Sequence, residues 1–377
     1  MAELPPPSPP WLSAITLRGF KSFDRLEQFP LEAINVFIGA NGVGKSNFIS
    51  FFEFLRSIVA GDLSRRVAAD GGANLLLHHG AKRTPELSFE LEFLGGANGY
   101  RLSLGVTAQD GLTPIEEVVS FWDRQKYPRP FEERLFPGPS EAAIQDAFHK
   151  GAAWWVHREI LGVRRYHFHD TGSLSALRRT SDLNDNLVLA SDGANLASYL
   201  YLLREKHAPQ YQAILHALRR VAPFMRDLVL DPLPLSPGQT RLRWRHADTD
   251  MQFDVSALSD GTLRFLALAT VLLQPPRADG TTPQMVIIDE PELGLHPVAI
   301  RLLGAMIRSS AARRQLLVST QSPLLIDEFE PEHVVVADLE QGATRLRRLT
   351  VSQLGGWLEE YSLGELWEKN ELGGRPR

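Results

Sequence analysis

Gly39-Ala40-Asn41-Gly42-Val43-Gly44-Lys45-Ser46 is the stretch around which the chain is organised. The apolar run Ile34 to Ile38 precedes it and the helix-like pattern Asn47 to Arg56 follows. Strand, glycine-rich turn and helix in that order make G-x-x-x-x-G-K-[ST] a phosphate loop. Gly39, Gly42 and Gly44 let the backbone turn tightly and aim its N–H groups at phosphate oxygens. Lys45 offers a mobile positive charge to the β- and γ-phosphates, and Ser46 a hydroxyl ligand to Mg²⁺. The helix that starts near Ser46 adds its positive dipole end. Asn41 and Asn47, inside the turn and just after it, complete the expected binding set.

The 377 residues suffice for two or three domain-sized units, and 44 % apolar with 23 % charged residues describe an ordinary globular chain. With no cysteine, disulfides, thiolate metal sites and cysteine nucleophiles are excluded, which fits a reducing cytoplasm. Residues 1–10 form a proline-rich segment without signal-peptide character, expected to be a disordered tail. The best apolar run, Leu263 to Leu273, is too short to span a bilayer, so no membrane association is expected. A net charge of −5 gives no global attraction to nucleic acid. The arginine doublets 164–165, 178–179, 219–220 and 313–314 are either local phosphate-binding patches or solvated surface, and the acidic balance favours surface.

Residues 11–110 read as one lobe carrying the phosphate loop, with strands at Trp11–Phe20, Leu87–Phe93 and Tyr100–Val106. The helix after the loop has an apolar face too wide for the surface, built on Phe48, Phe51, Phe52, Phe54, Leu55 and Ile58. Residues 111–230, opened by several prolines and followed by helical periodicity, read as an inserted, mostly helical lid. His167 and His169 would share a face if the segment is a strand, but two histidines without a third ligand read as packing residues. Asp248-Thr249-Asp250 reads as a hairpin turn rather than a metal site.

Residues 231–377 read as a second lobe. Ser259 and Gly261, at the start of the apolar helix Leu263–Leu273, form a second anion-binding helix end. Met285 to Ile288 lead into Asp289-Glu290, a buried strand with its acids at the C-terminal edge, where α/β sheets bind ligands. Asp289 suits the Mg²⁺ shell, and Glu290 suits orienting or deprotonating an attacking water. Gln315 to Val318 form another buried strand that runs into Ser319-Thr320-Gln321-Ser322-Pro323.

Phosphate loop, LSDGT, IDEPELGLHP and STQSP together resemble, in order, the motifs of ABC-type ATPase heads, in particular the RecF/SMC-like branch and the bacterial ATPases of the AAA_21 type. The resemblance implies an α/β P-loop NTPase of ABC/SMC-head type. Leu17 to Phe23 resembles that branch's opening strand, which implies Lys21 and Ser22 near the nucleotide. ATP and Mg²⁺ are the implied ligands, and a homodimer formed on ATP binding is the implied assembly, with Ser259 and Gly261 completing the partner's site. Gln321 stands where the family has a switch histidine, which implies slow hydrolysis; Gln125 is the weak candidate for the Q-loop glutamine. DNA or a separate effector nuclease is the implied partner, in repair or antiphage defence. A transporter ATPase subunit and a non-hydrolysing ATP-dependent clamp are the alternatives; LSDGT and the LHP segment argue against the transporter.

Overall fold

The computed structural model describes residues 11–147, 151–276 and 283–374; the tail expected at 1–10 lies outside the described residues. The chain begins with β1 (Leu12–Phe20), β2 (Phe23–Pro30) and β3 (Ile34–Ile38), then the phosphate-loop turn and α1 (Lys45–Val59). Short helices α2 (Leu63–Ala69) and α3 (Ala73–Leu76) lead to β4 (Glu86–Phe93), β5 (Asn98–Val106), β6 (Leu112–Phe121) and β7 (Phe131–Leu135). Next come α4 (Ala152–Leu161), β8 (Val163–Tyr166), the short β9 (Ser181–Asp182), α5 (Leu196–Lys206) and α6 (Ala208–Val221). The small strands β10 (Met225–Val229), β11 (Gln239–Thr240), β12 (Arg243–His246) and β13 (Gln252–Asp254) precede α7 (Asp260–Leu273). The remainder supplies β14 (Met285–Asp289), α8 (Pro297–Ala311), β15 (Gln315–Ser319), β16 (Val334–Glu340) and β17 (Ala343–Arg348).

Two six-stranded sheets carry the fold. One is antiparallel, in the order β2-β1-β4-β5-β6-β7; the other runs β17-β16-β3-β15-β14-β8, with only β17 antiparallel to its neighbour. The central strands of the second sheet are apolar without alternation because both faces are covered. Phe37, Met285, Ile287, Leu317 and Val335 face α1 and the antiparallel sheet, while Val36, Ile38, Val286, Ile288, Leu316 and Val318 face the helical layer of α5 to α8. Helix α1 is therefore clamped between two sheets. Its phenylalanines make ring contacts on both sides, Phe51 edge-on with Phe20 and Phe89, and Phe48 tilted against Phe37 at 4.9 Å between ring centroids.

The segment 111–230, read from sequence as a helical insertion, does hold α4, α5 and α6, yet three of its strands belong to the two six-stranded sheets, while β9 and β10 lie in smaller separate sheets. β6 and β7 extend the antiparallel sheet, and β8 is the edge strand of the parallel one, paired with β14. Proline breaks signalled irregularity, but sheet membership is set by partners far away in the chain. His167 and His169 follow the end of β8, so they do not share a strand face. Among the described residues no helix is long and apolar enough to cross a membrane.

Candidate nucleotide site

In the parallel sheet β3, β15 and β14 are neighbours, so three strand ends open side by side at the carboxyl edge. The phosphate loop follows β3, Gln321 follows β15, and Asp289-Glu290 close β14. Sequence order cannot show this adjacency, because β15 inserts between two strands that precede it. A cavity of about 210 Å³ lies here, lined by Asn41, Gly42, Gly44, Lys45, Ser46, Asn47, Asp289 and Glu290.

The loop conformation depends on glycine at two positions. Gly42 has φ +83° in open space, and Gly44 has φ +107° with Thr344 and Ser22 so close that a Cβ would strike both side chains. Lys45 is buried and donates to the loop's own carbonyls, Gly39 O at 2.6 Å and Ala40 O at 2.9 Å. Burial pulls its ammonium below the ordinary lysine value, opposed by the carboxylates of Glu290, Asp289 and Glu292.

The acidic end is equally tied. Asp289 accepts from the Ser319 hydroxyl on one oxygen and from Arg165 Nη2 at 3.3 Å on the other. Glu290 has φ +42°, a left-handed conformation costing on the order of 1 kcal/mol or more for a non-glycine residue. Its backbone N–H is held by Ser319 O at 2.9 Å. Gln321 Nε2 donates to Glu290 Oε1 at 2.7 Å and to Asn41 Oδ1 at 2.8 Å, so one amide links all three strand ends. Behind them Glu292 is buried, accepting on Oε1 from Thr320 Oγ1 at 2.6 Å and from the Gln321 backbone N–H at 3.1 Å. Burial pushes its carboxyl above the ordinary range.

The expected residues do not all fall in the cavity. Lys21 Nζ donates to Ser50 Oγ at 3.1 Å on the flank of α1, and Ser22 Oγ accepts from Asn47 Nδ2 at 2.8 Å; these two brace the loop from behind. Ser259 is the N-cap of α7, accepting from Thr262 N at 3.2 Å, and lies outside this cavity. Gly261 is needed because a Cβ there would meet the carbonyl of Gly294, in the loop after β14. Gln125 sits in the exposed turn after β6. Sequence reasoning missed Arg165, Ser319, Glu292 and Thr344. Ser319 was within reach, since it ends the β15 run; Thr344, with Oγ1 2.7 Å from Ser22 Oγ, had no local signal.

The residues fit a magnesium nucleotide. Among the described residues no group of three or more His, Asp or Glu side chains could cage a metal. A hydroxyl from Ser46 and a carboxylate from Asp289 beside a phosphate cradle are instead the sparse donor set that Mg²⁺ takes when phosphates and water complete its shell.

The Smc head bound to the C-winged helix domain of ScpA matches 91 % of this chain and 99 % of its own, with a TM-score of 0.57 at 16 % identity. The Smc head with an extended coiled coil, bound to the C-terminal domain of ScpA and derived from Pyrococcus furiosus, matches 93 % and 99 %, with a TM-score of 0.52 at 13 % identity. At such identity the likeness is one of fold. No match is found among the curated proteins. Fold and phosphate loop thus define a P-loop ATPase of the ABC/SMC-head class. The profile described as "AAA domain, putative AbiEii toxin, Type IV TA system" matches residues 34–327, and the chain belongs to this AAA_21 family, which implies nucleotide binding, typically with Mg²⁺.

Proposed function

We propose that this chain hydrolyses MgATP slowly and uses the ATP-bound state to hold two copies together as a switch. The observation that carries this reading is the Gln321 amide joining Glu290 to Asn41 across three adjacent strand ends. Lys45 exchanges the carbonyls of Gly39 and Ala40 for phosphate oxygens, and the loop N–H groups hold the β-phosphate. Ser46 and Asp289 would hold Mg²⁺, which would supply positive charge to offset that of the phosphates. Glu290 takes a proton from the attacking water, and Gln321 keeps that carboxylate aimed at the γ-phosphate. Being uncharged, Gln321 adds no positive charge to the transition state, which is why turnover is slow.

One loop covers one side of the nucleotide. The N-terminus of α7, capped by Ser259 and kept slim by Gly261, suits the γ-phosphate of a partner's nucleotide, and two copies related by a two-fold axis close on each other. The output is a partner whose binding changes on closure, either DNA or a separate effector nuclease. The solved Smc heads carry a protein domain, and the family description names a putative toxin, which together favour a protein effector in defence over repair.

Sedimentation tests the switch: Glu290→Gln with MgATP should run as a dimer, and with ADP as a smaller or looser species. Mixing inactive Lys45→Ala with inactive Ser259→Arg should restore turnover through one intact composite site per heterodimer. A mixture that associates with ATP yet stays inactive defeats the shared-site reading. The uncharged Gln321 also fits a non-hydrolysing clamp; absence of any Glu290-dependent phosphate release would select it.

A further inference from the structure

A second cavity, of about 340 Å³, opens beside the nucleotide site between the outer half of α1 and the edge strand β8. Four arginines line it, Arg56, Arg66, Arg164 and Arg165, against two carboxylates, Glu53 and Asp62. Both carboxylates are already engaged. Glu53 accepts from Arg165 Nη1 at 2.8 Å and lies 3.7 Å from Arg66 Nη2, while Asp62 pairs with Arg65 at 2.6 Å. Arg66 also pairs with Asp70 at 2.8 Å. Arg164 donates only to backbone, Leu161 O at 2.7 Å and Val163 O at 3.4 Å, and no described carboxylate pairs with Arg56. Arg165 Nε is buried with no partner. Burial, and then the adjacent Arg164 guanidinium, lower the Arg56 pKa, as expected for two like charges with no anion between them.

We propose that this cavity binds the phosphate group of a small phosphorylated organic molecule and that Arg165 couples it to the nucleotide site. Guanidinium groups meet phosphate oxygens with paired, charge-assisted hydrogen bonds, and two of these arginines are available. The volume exceeds what a bare phosphate needs and falls in the range of small-molecule sites. Phe52, Val163 and Ile287 supply an apolar wall for the organic part. Of the sequence's six arginine doublets, 164–165 places both members on this cavity and 65–66 places one, Arg66; Arg178 and Arg314 are buried and bonded to backbone carbonyls. The coupling follows from Arg165 Nη2 lying on Asp289 Oδ2. A phosphate that draws Arg165 away leaves the Asp289 carboxylate to the metal, so each ligand tightens the other by the same factor.

Binding does not depend on hydrolysis, but the coupling rests on Asp289 holding the metal as proposed above. Calorimetry on the full chain, with MgADP filling the phosphate loop, should detect ribose 5-phosphate, with inorganic phosphate weaker. The same titration in Lys45→Ala isolates the cavity if MgADP itself does not bind. Arg56→Ala with Arg164→Ala should weaken ribose 5-phosphate at least about tenfold, whereas Arg301→Ala, on α8, should leave it unchanged. Arg165→Gln should abolish the gain in MgADP affinity that ribose 5-phosphate produces in the wild type. No binding, binding indifferent to the double substitution, or equal affinity for both probes overturns the site. Unchanged MgADP affinity in the wild type overturns the coupling, and equal competition by a short DNA duplex replaces the small molecule with a nucleic-acid backbone.

Discussion

Lys45 already has oxygen partners in this structure, and they belong to its own loop. Triphosphate binding therefore replaces two neutral acceptors by charged ones, and that difference is the gain. Lys45→Ala should weaken MgATP by at least about tenfold, or ~1.4 kcal/mol, measurable by calorimetry. Glu290→Gln should keep ATP binding while turnover falls ~10²–10⁴-fold, because a positioned base is lost. Gln321→His retains a donor toward Glu290 and should leave turnover equal or faster; a marked loss would show that the amide's double link to Asn41 and Glu290 has its own role. Glu292 reports through stability. Its folded pKa is raised, so its contribution to stability is present below the ordinary carboxylate range and is lost as pH rises through the raised value. Glu292→Gln removes this dependence. In urea titrations between about pH 4 and pH 7 the variant should gain on the wild type as pH rises.

At the scale of elements, α1 does two jobs that its sequence combines. Its first turn presents Lys45 and Ser46, and its body buries Phe48, Phe51, Phe52 and Phe54 between two sheets. Phe51, fully buried against Phe20 and Phe89, should cost ~3–5 kcal/mol when replaced by alanine, read as a lower urea midpoint. The loop end should be disturbed with it, since the helix has no freedom to shift between the sheets. Helix α7 is set differently. Arg264, on its second turn, donates to Phe168 O at 2.8 Å, His169 O at 2.9 Å and the Leu293 carbonyl. Helix α7 is thereby tied to the loop that leaves Asp289 and Glu290. A partner's nucleotide bound at Ser259 would act on this chain's own acids through that tie.

For the whole molecule, the adjacency of β3, β15 and β14 makes one site from residues spread between 39 and 321. The antiparallel sheet and the helical layer enclose the parallel sheet from its two faces, leaving its carboxyl edge open. The proposed closure of two copies over that edge is the movement that the sedimentation and mixing experiments would test.

The motif stretches were legible in sequence because their chemistry is local: glycines that permit positive φ, a lysine at a helix start, acids at the end of an apolar strand. The apolar strand runs showed equally plainly that the central sheet is buried on both faces. Tertiary structure alone decided that β8 joins that sheet from within the supposed lid, since an edge strand of four residues carries too little pattern to name its partner. It also decided that Thr344 presses on Gly44, and that Arg165 reaches Asp289. These contacts join positions more than a hundred residues apart, and no periodicity or local propensity encodes such a distance.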